Sequence, residues 1–176
     1  MLRAQVLNVA ELVYHGDVAF RTVSGLFEAI EAEVAASLEA KEAEEKVKLE
    51  QALGMGGKGK GAAKAARGTK GTVDDLEKKQ KLRRTRGARD GLDLALGDLA
   101  GLYRDALVHK GDAGVGLTHP DFEGLSRELA EKNSEEALLA CIDALAQCRA
   151  DVAANVRPAV ALDALVGRLR LACGVR

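Results

Sequence analysis

Apolar positions along this chain recur at intervals of three and four, not two. Leu2, Val6, Val9, Leu12 and Val13 open the sequence at helical spacing, and Gly16-Asp17 reads as a stop followed by the next N-cap. Val23, Leu26, Phe27, Ile30 and Val34 form the stripe of a second helix. Past Leu38 the stripe thins, but Glu39 to Glu50 is rich in Ala, Glu and Lys, which are good helix formers, so this helix is expected to run to Leu53. A third begins charged, over Leu76 to Arg89, and turns apolar at Leu92, Leu96, Leu99, Tyr103, Ala106 and Leu107. After a loop over Gly111 to Pro120, a short helix is expected over Phe122 to Ala130. Ser134, followed by Glu135 and Glu136, has the signature of an N-cap with acids in the first turn. Leu138, Ile142, Leu145 and Val152 mark the helix behind it, widened by Leu139 and Cys148. Asn155-Val156-Arg157-Pro158 is a boundary, because the residue before proline avoids the α region, and Pro158 suits the first position of a last helix. Leu162, Leu165, Val166 and Leu169 stripe that helix.

Residues 54 to 71 interrupt this pattern. Seven of the eighteen are glycine, too many to hold a helix against their backbone entropy, so 54–73 is expected to be a mobile Gly/Lys-rich loop, with Thr72 or Asp74 capping the helix that follows. No alternating strand pattern persists. The expectation is an all-α helical bundle of five to seven helices, one domain over 1–176.

Composition narrows the core. Hydrophobic residues make up 47% of the 176 positions but aromatics only 3%, with no Trp, so Leu, Val and Ala must fill the interior. Three cysteines, Cys141, Cys148 and Cys173, lack metal-ligand spacing and read as small core residues of a reducing compartment. No apolar run is long enough for a membrane span and the N-terminus does not resemble a signal peptide, so a cytoplasmic location is expected.

The formal net charge is -1, yet its distribution is uneven. Residues 28–50 carry eight Glu against three Lys, and residues 54–89 carry twelve Lys or Arg against three acids. If the two stretches fold back on each other, Glu39 to Glu50 lies beside Glu77 to Arg89 in a protruding hairpin of about 18 Å. Complementary charges on a solvated hairpin explain this arrangement. The alternative is a phosphate or acidic-partner contact through Lys58, Lys60, Lys78, Lys79, Lys81, Arg83, Arg84 and Arg86. No aromatic residue lies between Gly54 and Arg89, so such a contact would not stack bases.

Candidate chemistry is sparse. Gly54, Gly59 and Lys60 fit part of a phosphate-binding P-loop, but Gly61 supplies no hydroxyl for magnesium and a charged helix stands where the motif needs a buried strand. His15, His109 and His119 have no partner at ligand spacing. No nucleophile and base are suggested, and no catalytic residue, cofactor or metal is expected.

Three stretches resemble the post-ATPase region of actinobacterial-type DNA polymerase III delta-prime subunits. They are Val13-Tyr14-His15-Gly16-Asp17; the run from Ala52 to Ala62 with Leu76 to Lys81, Thr85-Arg86 and Asp98 to Asp105; and Ala154 to Pro158 with Ala161 to Leu165. The resemblance implies a C-terminal collar domain, the oligomerisation part of a sliding-clamp loader, whose parent holoenzyme is a DNA-directed DNA polymerase. The family's N-terminal ATPase-like module has no counterpart in this sequence. What the resemblance implies is non-catalytic assembly with other loader subunits (delta and gamma/tau) in DNA replication, with no membrane partner and DNA contact as a secondary possibility. The corresponding subunit-interface candidates are Asn155, Pro158, Leu162, Leu165 and Leu169. The rival class is a helical nucleic-acid-binding protein gripping phosphate through 58–89.

Overall fold

The computed structural model describes residues 2–53 and 62–175. The protein is all-α: α1 (Leu2–Leu12), α2 (Asp17–Ala52), α3 (Ala62–Lys110), a 3-10 turn (Pro120–Phe122), α4 (Glu123–Lys132), α5 (Glu135–Ala153) and α6 (Pro158–Ala172), with no strand among the described residues. Most boundaries agree with the periodic pattern. The start of α3 does not. Ala62 opens it, so Thr72 and Asp74 are interior helical residues and not caps, and 62–73 is not a loop. Five of the seven glycines counted above fall in 54–61, outside the described residues together with Lys58 and Lys60. From Ala62 on, alanines, Lys64 and Arg67 favour the helix, and Gly68 and Gly71 are isolated costs of about 1 kcal/mol each.

The chain forms two compact units. The first comprises Met1–Ile30 and Arg89–Arg176 and holds the main core. Leu7 and Val9 of α1, Val13 just after it, Leu92, Leu102 and Tyr103 of α3, Leu129 of α4, Leu138 and Leu145 of α5, and Leu165 and Leu169 of α6 are all fully buried. Each such side chain contributes roughly 1.5–3 kcal/mol by leaving water. The gap left between Val6, Val23, Leu96, Leu99 and Leu162 is about 20 Å³ and purely apolar, too small and dry for a ligand.

Three helices of this unit end in the same way. After α5, Asn155 turns left-handed (φ 68°), its amide donates to the Val152 carbonyl at 3.1 Å and the Val156 amide to that of Asp151 at 2.9 Å. Asp112 does this after α3 and Gly174 after α6. These are Schellman ends, satisfying carbonyls the helix leaves orphaned. At the other pole of α5, Ser134 Oγ accepts from the Ala137 amide at 3.1 Å, the cap its sequence announced.

The second unit, Glu31–Ala88, is an antiparallel pairing of α2 with α3. Its facing positions are Leu38, Glu42, Glu45 and Leu49 on α2, and Val73, Leu76, Gln80, Arg83 and Gly87 on α3, alternating in steps of three and four as in a coiled coil. Val34 Cγ1 would stand only 2.7 Å from a Cβ at Gly87, so the absence of a side chain there lets the helices approach.

Candidate functional site

The last helix was the sequence's main interface candidate, and the structure redistributes its residues. Leu162, Leu165 and Leu169 are 3%, 1% and 0% exposed. They belong to the first unit's own core and cannot meet a partner. The reason is geometric: 162, 165 and 169 share one stripe, and α5 packs against α6. Asn155 is exposed, but it serves as the left-handed residue of the α5 end, and its Oδ1 accepts from Arg89 Nη1 at 2.6 Å. Pro158 is half-buried as the first residue of α6. The apolar residues that α6 turns outward are Val160 and Leu171, with half-buried Ala164 and Gly167 between them at helical spacing. Leu171 is 77% exposed and was not singled out in the sequence, although it lies three turns beyond Val160.

The basic segment divides in two. Arg83 makes a bidentate contact with Glu45, at 2.9 and 3.1 Å, and Arg84 clasps Glu42 through Nε at 2.8 Å and through Nη2. Gln80 Nε2 donates to the Glu42 carbonyl at 3.1 Å and to Glu45 Oε2 at 3.2 Å. Hydrogen bonds from Arg83 and Gln80 hold the Glu45 carboxyl below its ordinary range. Arg83 and Arg84 are thus paired with carboxylates of α2. Lys78 lies 3.8 Å from Asp75, while Lys79, Lys81 and Arg86 are exposed. The complementary-charge explanation of the hairpin accounts for the pairs observed, including Lys46 with Glu77 at 3.7 Å.

In the first unit a buried carboxylate organises the loop after α3. Asp105 accepts from the amides of Thr118 (2.8 Å) and His119 (2.7 Å) and from Arg104 Nη1 (2.9 Å). Burial pushes its carboxyl up, but these donors together outweigh burial and leave it below its usual value. Arg104 also donates to the Gly116 carbonyl at 2.7 Å. His119 is buried. Its Nε2 donates to the Asp98 carbonyl at 2.8 Å, so Nδ1 accepts from Arg3 Nη2 at 2.6 Å. Arg3 in turn contacts Asp121 at 3.3 Å and lies over the Phe122 ring. His119 is a satisfied structural histidine, and no grouping of His, Cys, Asp and Glu among the described residues could hold a metal.

A second cluster joins α5 and α6 to the end of α1. Cys141 Sγ and Cys173 Sγ are 3.7 Å apart. Tyr14 receives a 2.7 Å hydrogen bond from Asn133 Nδ2, whose other proton goes to the Leu129 carbonyl. Tyr103 is fully buried, and its hydroxyl has no hydrogen-bond partner among the described residues. Burial holds both phenols well above their ordinary range. Cys141 and Cys148 lie seven residues apart on α5. Both are buried, but the contact is made across helices with Cys173, thirty-two residues on.

An open cleft of about 510 Å³ lies between Arg89, Asp93, Leu94, Arg149 and Val152. Its most prominent charges neutralise each other, as Arg149 grips both Asp93 oxygens at 2.7 and 2.9 Å. The near-P-loop at 54–61 lies outside the described residues. No helix among the described residues is long and apolar enough to cross a membrane. Compared with protein-family models, curated proteins and solved structures, the chain gives no match.

Proposed function

We propose that this chain is a non-catalytic assembly module of the clamp-loader collar type, which joins delta and gamma/tau subunits during DNA replication. The sequence resemblance over Val13 to Asp17, over Ala52 to Ala62 with Leu76 to Lys81, Thr85-Arg86 and Asp98 to Asp105, and over Ala154 to Pro158 with Ala161 to Leu165 suggests the family, and an all-α fold agrees with it. The observation that carries the assembly reading is the outward face of α6. Val160 and Leu171 are 49% and 77% exposed on a helix whose opposite stripe is already fully used by its own core. A helix apolar on both sides has a second surface to cover. The basic hairpin gives the nucleic-acid alternative less support, since two of its arginines are committed to Glu42 and Glu45.

The test uses the full chain with Val160→Asp and Leu171→Asp, mixed with full-length delta and gamma/tau subunits, and reads complex mass without nucleotide. The variants are expected to fold as the parent does and to be left out of the complex, because an unpaired charge in a desolvated contact is costly. Normal incorporation of both removes this face from the interface. Failure of the parent chain to join removes the collar reading itself.

A further inference from the structure

We propose that Cys173 and Cys141 form a peroxide-reactive thiol pair, in which Cys173 is the attacking sulfur and Cys141 the resolving one. The two sulfurs lie 3.7 Å apart, in contact across two helices. A disulfide holds its sulfurs at about 2.05 Å, so closure asks for a further approach of less than about 2 Å. Cys173 is the C-cap of α6 and partly exposed, whereas Cys141 is fully buried on α5. An oxidant therefore reaches one sulfur of the pair first.

The surroundings assign the roles in the same sense. Either thiol can donate across this contact; with Cys173 as the thiolate it accepts from the Cys141 thiol, and that bond, opposed by burial, lowers the Cys173 thiol below its ordinary range. The same bond, with burial, keeps Cys141 protonated. Cys148 is the internal contrast. Its thiol is directed at the Ala161 carbonyl at 3.5 Å, and burial pushes it up to about 11. A low-lying, accessible thiolate beside a protonated second thiol is the arrangement that redox-responsive cysteines use.

The oxidant is hydrogen peroxide. The Cys173 thiolate attacks one peroxide oxygen, the O–O bond breaks, and the departing hydroxide takes a proton to leave as water. Cys173 becomes a sulfenic acid, oxidised by two electrons. The Cys141 sulfur then attacks the Cys173 sulfur; an S–S bond forms, the S–O bond breaks, and the hydroxyl leaves as a second water with the Cys141 proton. Two thiols and one peroxide yield one disulfide and two waters. The inference is independent of the assembly reading, because it concerns chemistry within one chain.

The test treats the folded full chain with dilute hydrogen peroxide and follows intact mass and tryptic peptides. Trypsin leaves Cys141 and Cys148 together in peptide 133–149 and Cys173 in peptide 171–176. Cys148→Ser therefore removes the ambiguity. The expected result is loss of two hydrogens and a crosslink of these two peptides, in both the parent and C148S. In C141S, Cys173 is expected to remain as a sulfenic acid that dimedone captures. In C173S, Cys141 is expected to stay unmodified at the same dose. A crosslink through Cys148, a disulfide between two chains, or no loss of mass under conditions that oxidise free cysteine would each overturn the proposal. The parent and C148S arms stand even where C141S or C173S is poorly folded.

Discussion

Gly101 tests whether the loop after α3 is held as rigidly as its hydrogen bonds imply. Replacing a helical glycine with alanine ordinarily stabilises by about 1 kcal/mol through backbone entropy. At Gly101 the new Cβ would stand 2.7 Å from His119 Nε2, 3.1 Å from Thr118 Cγ2 and 3.4 Å from His119 Cδ2. The first distance is closer than real Cβ atoms come, so the imidazole must retreat. It is held on three sides: Nε2 bonded to the Asp98 carbonyl, Nδ1 to Arg3, and its own amide to Asp105. Overpacking costs about 1–3 kcal/mol, and a buried hydrogen bond broken in the retreat costs about the same. Gly101→Ala is therefore expected to destabilise by about 1–3 kcal/mol net, against the helix-propensity trend. Gly97, one turn earlier on the same helix, meets nothing within 4 Å, and Gly97→Ala should stabilise by about 0.5–1 kcal/mol. Urea unfolding followed by far-ultraviolet circular dichroism compares the two. In a His119→Ala background most of the Gly101→Ala penalty should vanish, since its main obstacle is gone. A Gly101→Ala variant as stable as Gly97→Ala, or a penalty undiminished without the imidazole, would refute the reasoning.

Two further predictions use the same unfolding measurement. Asp105→Asn removes one charged acceptor of the loop amides and should cost about 1–3 kcal/mol at neutral pH. Because the folded-state carboxyl titrates below its unfolded value, its contribution is complete above about pH 4 and is lost as the pH falls through the folded value. The Asn variant should show a correspondingly weaker acid dependence, and an unchanged one would exclude Asp105 as its source. Tyr103→Phe deletes a buried hydroxyl that has no hydrogen-bond partner among the described residues, so it should be neutral or stabilise by up to about 1–2 kcal/mol; a clear loss would reveal a bond from that hydroxyl.

Helical periodicity made most of the fold legible, because a stripe such as Leu138, Leu145 and Val152 has to face a core wherever that core lies. Chemistry at the ends was legible too: Ser134 and Pro158 act where local rules put them. The start of α3 was not, since glycine density averaged over 54–71 concealed the alanines that begin at Ala62. Assigning Leu162, Leu165 and Leu169 to an interface failed because a stripe announces burial without saying against what. The residues missed outright act over distance in sequence. Gly101 resembles a helix defect until His119 is known to need its space, and Cys173 resembles an isolated thiol until α6 brings it to Cys141. Asp105 carried no local signal, because the amides it binds lie thirteen and fourteen residues away.

The polar seam of the hairpin also bears on its mechanics. Apolar coiled-coil seams can slide by a heptad at modest cost, because one layer of leucines resembles the next. Here the middle layers do not repeat. Shifting α3 by seven residues along α2, about 10 Å, would set Arg83 and Arg84 opposite Leu38 and Ala35, or in the other direction opposite Ala52 and Leu49. In the first case Glu42 would also meet Glu77. Either shift exchanges compensated charges for stranded ones, so the pair has a single phase. Under load along its length such a hairpin would not telescope; it would transmit force as a strut until the charge pairs parted together.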